Sequence, residues 1–170
     1  MARAERGRVA KAVLIAAIPP VMIRGNKNRD GVPRKVFDGF RSAVATNRAQ
    51  FYRDVPSGPF YGFNRKSATV SQGLIDNWWR QAMAGGTKAH YDCIAAFSET
   101  DFTDDLTAIT VPVLIWHGED DQLVPTANSA QKAIRLVRDG TLRTYPGLSH
   151  VLFARHPDVI KRDLLLFIRG

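Results

Sequence analysis

Residues 111–117 read Val-Pro-Val-Leu-Ile-Trp-His and run directly into Gly118-Glu119-Asp120-Asp121-Gln122-Leu123-Val124-Pro125. A short apolar run closed by a turn-rich acidic loop predicts a strand buried on both faces, as in a parallel sheet. Downstream, Ala130, Ala133, Ile134 and Val137 recur at helical spacing across residues 127–137, and Asp139-Gly140 ends the pattern. Residues 142–145 then form a second strand-like run. Strand, helix and strand in that order predict two parallel neighbours joined by a right-handed crossover. Upstream, the run from Lys11 to Ile18 supplies a third strand, stopped by Pro19-Pro20. Near the end, Val159, Ile160, Leu164, Leu165 and Ile168 lie at helical spacing over residues 157–168, with proline at the favoured first position. The expected fold class is α/β: three parallel strands with flanking helices.

Residues 32–108 interrupt that pattern. Three stretches in it, 36–55, 71–84 and 88–97, show helical apolar spacing. Pro56, Ser57, Gly58, Pro59 and Gly62 break the insertion once, and Gly85-Gly86 break it again. Such helices must bury an apolar face against something, and the strand edge is the available surface. The expected organisation is an α/β core from residues 1–31 and 109–170, with 32–108 as a helical cap.

Composition excludes several classes. The chain has 170 residues, 45% hydrophobic and 24% charged, ordinary for a globular protein. Its single cysteine, Cys93, rules out an internal disulfide framework and an all-thiolate metal site, and is expected to be a buried small apolar residue. No run approaches the roughly 20 apolar residues of a membrane span, and the chain is expected to be cytoplasmic. The formal charge of +8 is lopsided: residues 1–35 carry nine basic groups against two acidic ones, and the rest is nearly balanced. This basic arm lacks interleaved aromatic residues for stacking on bases, so neither nucleic acid nor membrane is expected as a partner. Arg3, Arg6, Arg8 and Lys11 before an apolar run also resemble a signal peptide, but Pro19-Pro20 and the lack of a small-x-small cleavage site favour the strand reading.

Functional groups in an open parallel sheet gather beyond the carboxyl ends of the strands. There the acidic loop after residue 117 would face the loop Pro146-Gly147-Leu148-Ser149-His150. A carboxylate from the first loop holding the imidazole of the second in one tautomer is the acid–base half of a nucleophilic triad. The alternatives are a solvated acidic turn and a structural histidine.

These two loops resemble the acid and histidine loops of the α/β-hydrolase family. The likeness continues through Lys11-Ala-Val-Leu-Ile, Pro19-Pro20, Ser57-Gly-Pro-Phe60, Gly62-Phe-Asn64, Gly73-Leu-Ile-Asp-Asn-Trp-Trp-Arg80 and Phe97-Ser-Glu-Thr-Asp-Phe102. Those segments are similar to the subgroup of cofactor-free (non-haem) chloroperoxidases and bacterial aryl esterases, or perhydrolases. The resemblance implies Asp121 as triad acid, His150 as general base, no cofactor and no metal. It also implies that Phe60, Phe63 and Trp78 border an acyl pocket, although core packing within the cap explains these three equally well. Glu119 stands where aspartate is commoner, and Val151 is bulkier than the usual residue after the histidine. The implied reaction is cleavage of small carboxylic esters through an acyl-serine, with hydrogen peroxide replacing water to give a peracid.

The family's serine sits on a Gly-x-Ser-x-Gly elbow, and that motif occurs nowhere in the 170 residues. The elbow precedes the strand matching the run from Lys11 to Ile18. The chain is therefore expected to be the C-terminal part of a serine hydrolase, inactive alone. The run from Lys11 to Ile18 would then be an unprotected sheet edge through which the chain self-associates. The alternative is a non-catalytic half that pairs with a separate N-terminal half or another protein.

Overall fold

The computed structural model describes residues 7–170. Arg3, Glu5 and Arg6 of the basic arm lie outside the described residues. Three parallel strands form one sheet in the order β1 (Ala12–Ile15), β2 (Val113–Gly118), β3 (Gly140–Tyr145). All six residues of β2 are buried, as its unbroken apolar run requires. Their side chains alternate between two cores. Val113 and Ile115 face Leu106, Ala130, Ala133 and Val137 on one side, while Leu114 and Trp116 face Leu152 and Ile160 on the other. The sheet is thus covered on both faces.

The strand ends differ from the sequence expectation for local reasons. β1 stops at Ile15 because Ala16 turns into the left-handed region at φ 46°. Pro112 cannot donate to a ladder, and β2 begins one residue after it. β3 starts at Gly140, earlier than the expected residue 142, and its outward residues are polar because it is an outer strand.

The segment between β1 and β2 is helical: α1 (Arg34–Ser57), α2 (Gln72–Ala84), α3 (Thr87–Glu99) and the short α4 (Thr103–Thr107). In α1 the chain kinks at Asn47, whose side chain accepts a hydrogen bond from the Gln50 N–H at 3.1 Å and restarts the helix. Ser71 caps α2 by accepting from the Leu74 N–H. Phe37, Val44 and Tyr52 of α1 and Ile94 of α3 share one core with Met22 and Val124. Val124 belongs to the acidic loop, so this helical layer reaches the carboxyl end of the sheet. Cys93, expected buried, is exposed: α3 turns Ile94 and Ser98 inward, and Cys93 falls on the outer face.

The helix expected over 127–137 is broken into a 3-10 turn (Thr126–Asn128) and α5 (Ala130–Ala133), followed by turns. Its spacing still holds, since Ala130, Ala133 and Val137 are all buried against the sheet. A short α6 (Leu152–Arg155) follows the histidine loop, and α7 (Pro157–Arg169) ends the fold. Lys11 Nζ donates to the carbonyls of Phe167 (2.7 Å) and Ile168 (3.1 Å), placing a cation at the C-terminus of α7. Other residues of the basic arm are similarly occupied: Lys27 pairs with Asp101 and Arg34 with Glu99.

Candidate active site

The register of the sheet builds the site. Gly118, last in β2, lies opposite Tyr145, last in β3, so the loops after both strands leave from one edge. Backbone bonds then stitch the loops together: the Glu119 N–H donates to Tyr145 O (3.0 Å) and the Asp120 N–H to Leu148 O (3.1 Å). The approach is close enough to require glycine at 118. A Cβ there would stand 2.2 Å from Leu148 O and 2.7 Å from Ser149 O, both backbone atoms.

Asp121 is buried at the centre of this junction. Its Oδ1 accepts the backbone N–H groups of Leu123 (3.0 Å) and Val124 (2.8 Å), a turn that its own carboxylate closes. Its Oδ2 accepts Nδ1 of His150 at 2.8 Å. Burial pushes the Asp121 carboxyl up, but contacts from His117 and His150 and the Val124 N–H outweigh it and bring it down to about 2. An ionised carboxylate only accepts, so the proton of a neutral His150 sits on Nδ1 and its Nε2 is left as a base. The His150 side chain is 23% exposed, so it can meet a reactant that Asp121 cannot.

The structure brings Asp121 and His150 together as the sequence predicts. It also places Phe60 beside them, its ring 5.4 Å from that of His150, and packs Trp78 against Phe60 at 5.5 Å. Phe63 lies deeper: it is buried with Tyr61, Ile75 and Val151, with the Arg155 guanidinium over its ring. The segment carrying these phenylalanines is pinned to both loops. Arg65 pairs with Asp120 through two hydrogen bonds, the side-chain amides of Asn64 and Gln122 meet at 3.0 Å, and Val151 N–H donates to Phe60 O at 3.3 Å. Sequence reading missed His117, a fully buried histidine whose Nε2 stands 3.2 Å from Asp121 Oδ2. Its signal was a polar residue closing an otherwise apolar run, four positions before the acid. Among the described residues, no group of three His, Cys, Asp or Glu side chains is arranged to hold a metal ion.

The profile of the serine aminopeptidase, S33 family matches residues 46–156. The non-heme chloroperoxidase of Streptomyces lividans is 63% identical over all 170 residues, which cover 62% of that protein. The bifunctional esterase/perhydrolase of Acinetobacter calcoaceticus is 54% identical over the same span, again 62% of its length. Among solved structures, the bromoperoxidase of Bacillus anthracis superposes with a TM-score of 0.89 at 30% identity, over 96% of this chain and 59% of that one. The chain thus spans less than two thirds of the length of these relatives. A three-stranded parallel sheet covered by helices, a match over most of the chain and these relatives lead to one conclusion: the chain belongs to the α/β-hydrolases, in the serine aminopeptidase, S33 family.

Proposed function

We propose that this chain supplies the acid and base of a serine hydrolase acting on small carboxylic esters, with Asp121 as the acid and His150 as the general base. The observation that carries this reading is the 2.8 Å contact between His150 Nδ1 and the buried Asp121 Oδ2. It fixes the imidazole so that Nε2 takes the serine proton during attack and returns it to the leaving alkoxide. Asp121 stays ionised and stabilises the imidazolium formed between those steps. The serine comes from a Gly-x-Ser-x-Gly elbow, a motif these 170 residues do not contain, and the oxyanion donors are the N–H just after that serine and one near the first helix of the fold. Hydrogen peroxide attacking the acyl-serine in place of water releases a peracid and frees the serine, in keeping with the bifunctional esterase/perhydrolase of Acinetobacter calcoaceticus among the relatives.

In this reading residues 32–108 are the cap over a core formed by residues 1–31 and 109–170. Phe60, with Trp78 behind it, forms the wall nearest His150, and Phe63 supports that wall from within. The chain needs no cofactor for this chemistry and works in the cytoplasm. The described residues contain no helix long and apolar enough to cross a membrane.

The test joins the 170 residues to the amino-terminal part of a relative that carries the elbow, and assays aryl acetate hydrolysis with and without hydrogen peroxide. The joined protein is expected to hydrolyse the ester and to form peracid when peroxide is present, and neither part is active alone. Absence of both activities in a folded joined protein would contradict the proposal.

A further inference from the structure

His117 stands one residue before the end of β2, inside the core, where the triad chemistry has no use for it. Its Nε2 lies 2.7 Å from the Val124 carbonyl oxygen and 3.2 Å from Asp121 Oδ2, the same oxygen that receives His150. A carbonyl only accepts, so Nε2 carries a proton. Nδ1 is buried and has no hydrogen-bond partner among the described residues, and a second proton there would be an unpaired buried donor. His117 is therefore the neutral Nε2–H tautomer. Its single N–H is aimed at the Val124 carbonyl, with the Asp121 oxygen beside it.

This places two imidazoles on Oδ2 and two backbone N–H groups on Oδ1. The backbone donors hold the carboxylate within its own loop, and His150 is the group it must orient. Main-chain bonds also join this loop to the sheet, the Asp121 N–H donating to Gly118 O at 3.2 Å, but among the described residues His117 is the one side chain of the sheet that reaches the Asp121 carboxylate. The other charged groups of this loop are engaged elsewhere: Asp120 with Arg65, and Glu119 with the Thr144 hydroxyl at 2.7 Å.

We propose that His117 is a positioning residue: its Nε2–H anchors the Val124 carbonyl and Oδ2 of Asp121, and so sets the direction from which Asp121 meets His150. The inference rests on the reading of Asp121 and His150 as acid and base, but its first readout needs no turnover. The geometry agrees with the charge balance, since His117 and His150 both hold the Asp121 carboxyl low.

Two variants separate the roles. His117→Gln keeps an N–H donor near the position of Nε2, and His117→Met keeps the bulk without a donor. In the isotopically labelled 170-residue chain, wild-type His117 is expected to show nitrogen shifts of the Nε2–H tautomer. The Asp121 carboxyl carbon is expected to titrate about one unit higher in the Met variant and near wild type in the Gln variant. In the joined enzyme, Met is expected to lower kcat by about ten- to a hundredfold, the scale of a catalytic group misplaced by about 1 Å. KM changes less than kcat, and Gln restores most of the rate. A wild-type His117 protonated on Nδ1 would overturn the proposal, even if the Met variant failed to fold. So would a folded Met variant with an unchanged Asp121 titration. An inactive wild-type joined enzyme would count against the triad reading alone, since the tautomer and titration still decide the role of His117.

Discussion

Asp121 shows how one carboxylate can be bound on every side and still remain charged. Desolvation alone would favour its neutral form, yet two backbone N–H groups and two imidazoles reverse the balance. A lowered carboxyl has a defined consequence for stability. Its contribution is full above the unfolded carboxyl value near 4 and is lost as pH falls through the folded value of about 2. We expect Asp121→Asn to be less stable than wild type by about 2 kcal/mol at pH 6. The gap should close on acidification to pH 2, as read by denaturant unfolding at several pH values. A gap independent of pH would show that the carboxylate is not held as described.

Elements position these residues, and Gly118 is where two of them nearly collide. Replacing it with alanine forces a methyl group against the backbone of Leu148 and Ser149. The expected cost is about 2 kcal/mol, together with loss of the His150–Asp121 hydrogen bond; thermal unfolding and the His150 nitrogen spectrum report the two effects separately. The element scale also shows what the sequence made readable. β2 was visible because a strand covered on both faces must be apolar throughout, and α7 because its apolar residues repeat at helical spacing, although of the five read from the sequence only Ile160 and Leu164 pack inward while Val159, Leu165 and Ile168 stay exposed. The start of β3 was not, since Gly140, Thr141 and Arg143 sit on an outer strand where polar residues are tolerated. Residues 127–137 kept their apolar spacing while the backbone broke, because periodicity reports which side is buried and not which hydrogen bonds form. At the site, Asp121 and His150 were legible from their loops. His117 was passed over, because a polar residue at the close of an apolar run shows that something must pair with it but not with what.

For the whole molecule, the balance of surface matters most. β1 pairs with β2 alone among the described residues, and its end residue Ile15 is 37% exposed. On α7, Leu166 and Ile168 are 64% and 56% exposed. An unpaired strand edge and an apolar helix face invite further contacts. We predict that the 170-residue chain self-associates through the segment from Lys11 to Ile18, and that Leu14→Lys reduces the association. Sedimentation velocity across a tenfold concentration range checks this, and a monodisperse wild-type monomer that unfolds cooperatively would contradict it.

The central claim is that Asp121 and His150 act as one acid–base unit on a serine supplied by the elbow segment. The most direct measurement is kcat/KM for aryl acetate hydrolysis by the joined enzyme and its His150→Ala and Asp121→Asn variants, each shown to be folded. The account predicts losses of about 10⁴-fold or more for both. Combining the two changes should cost little beyond His150→Ala alone, because the groups work as a unit. Unchanged turnover in the folded His150→Ala variant would contradict the account.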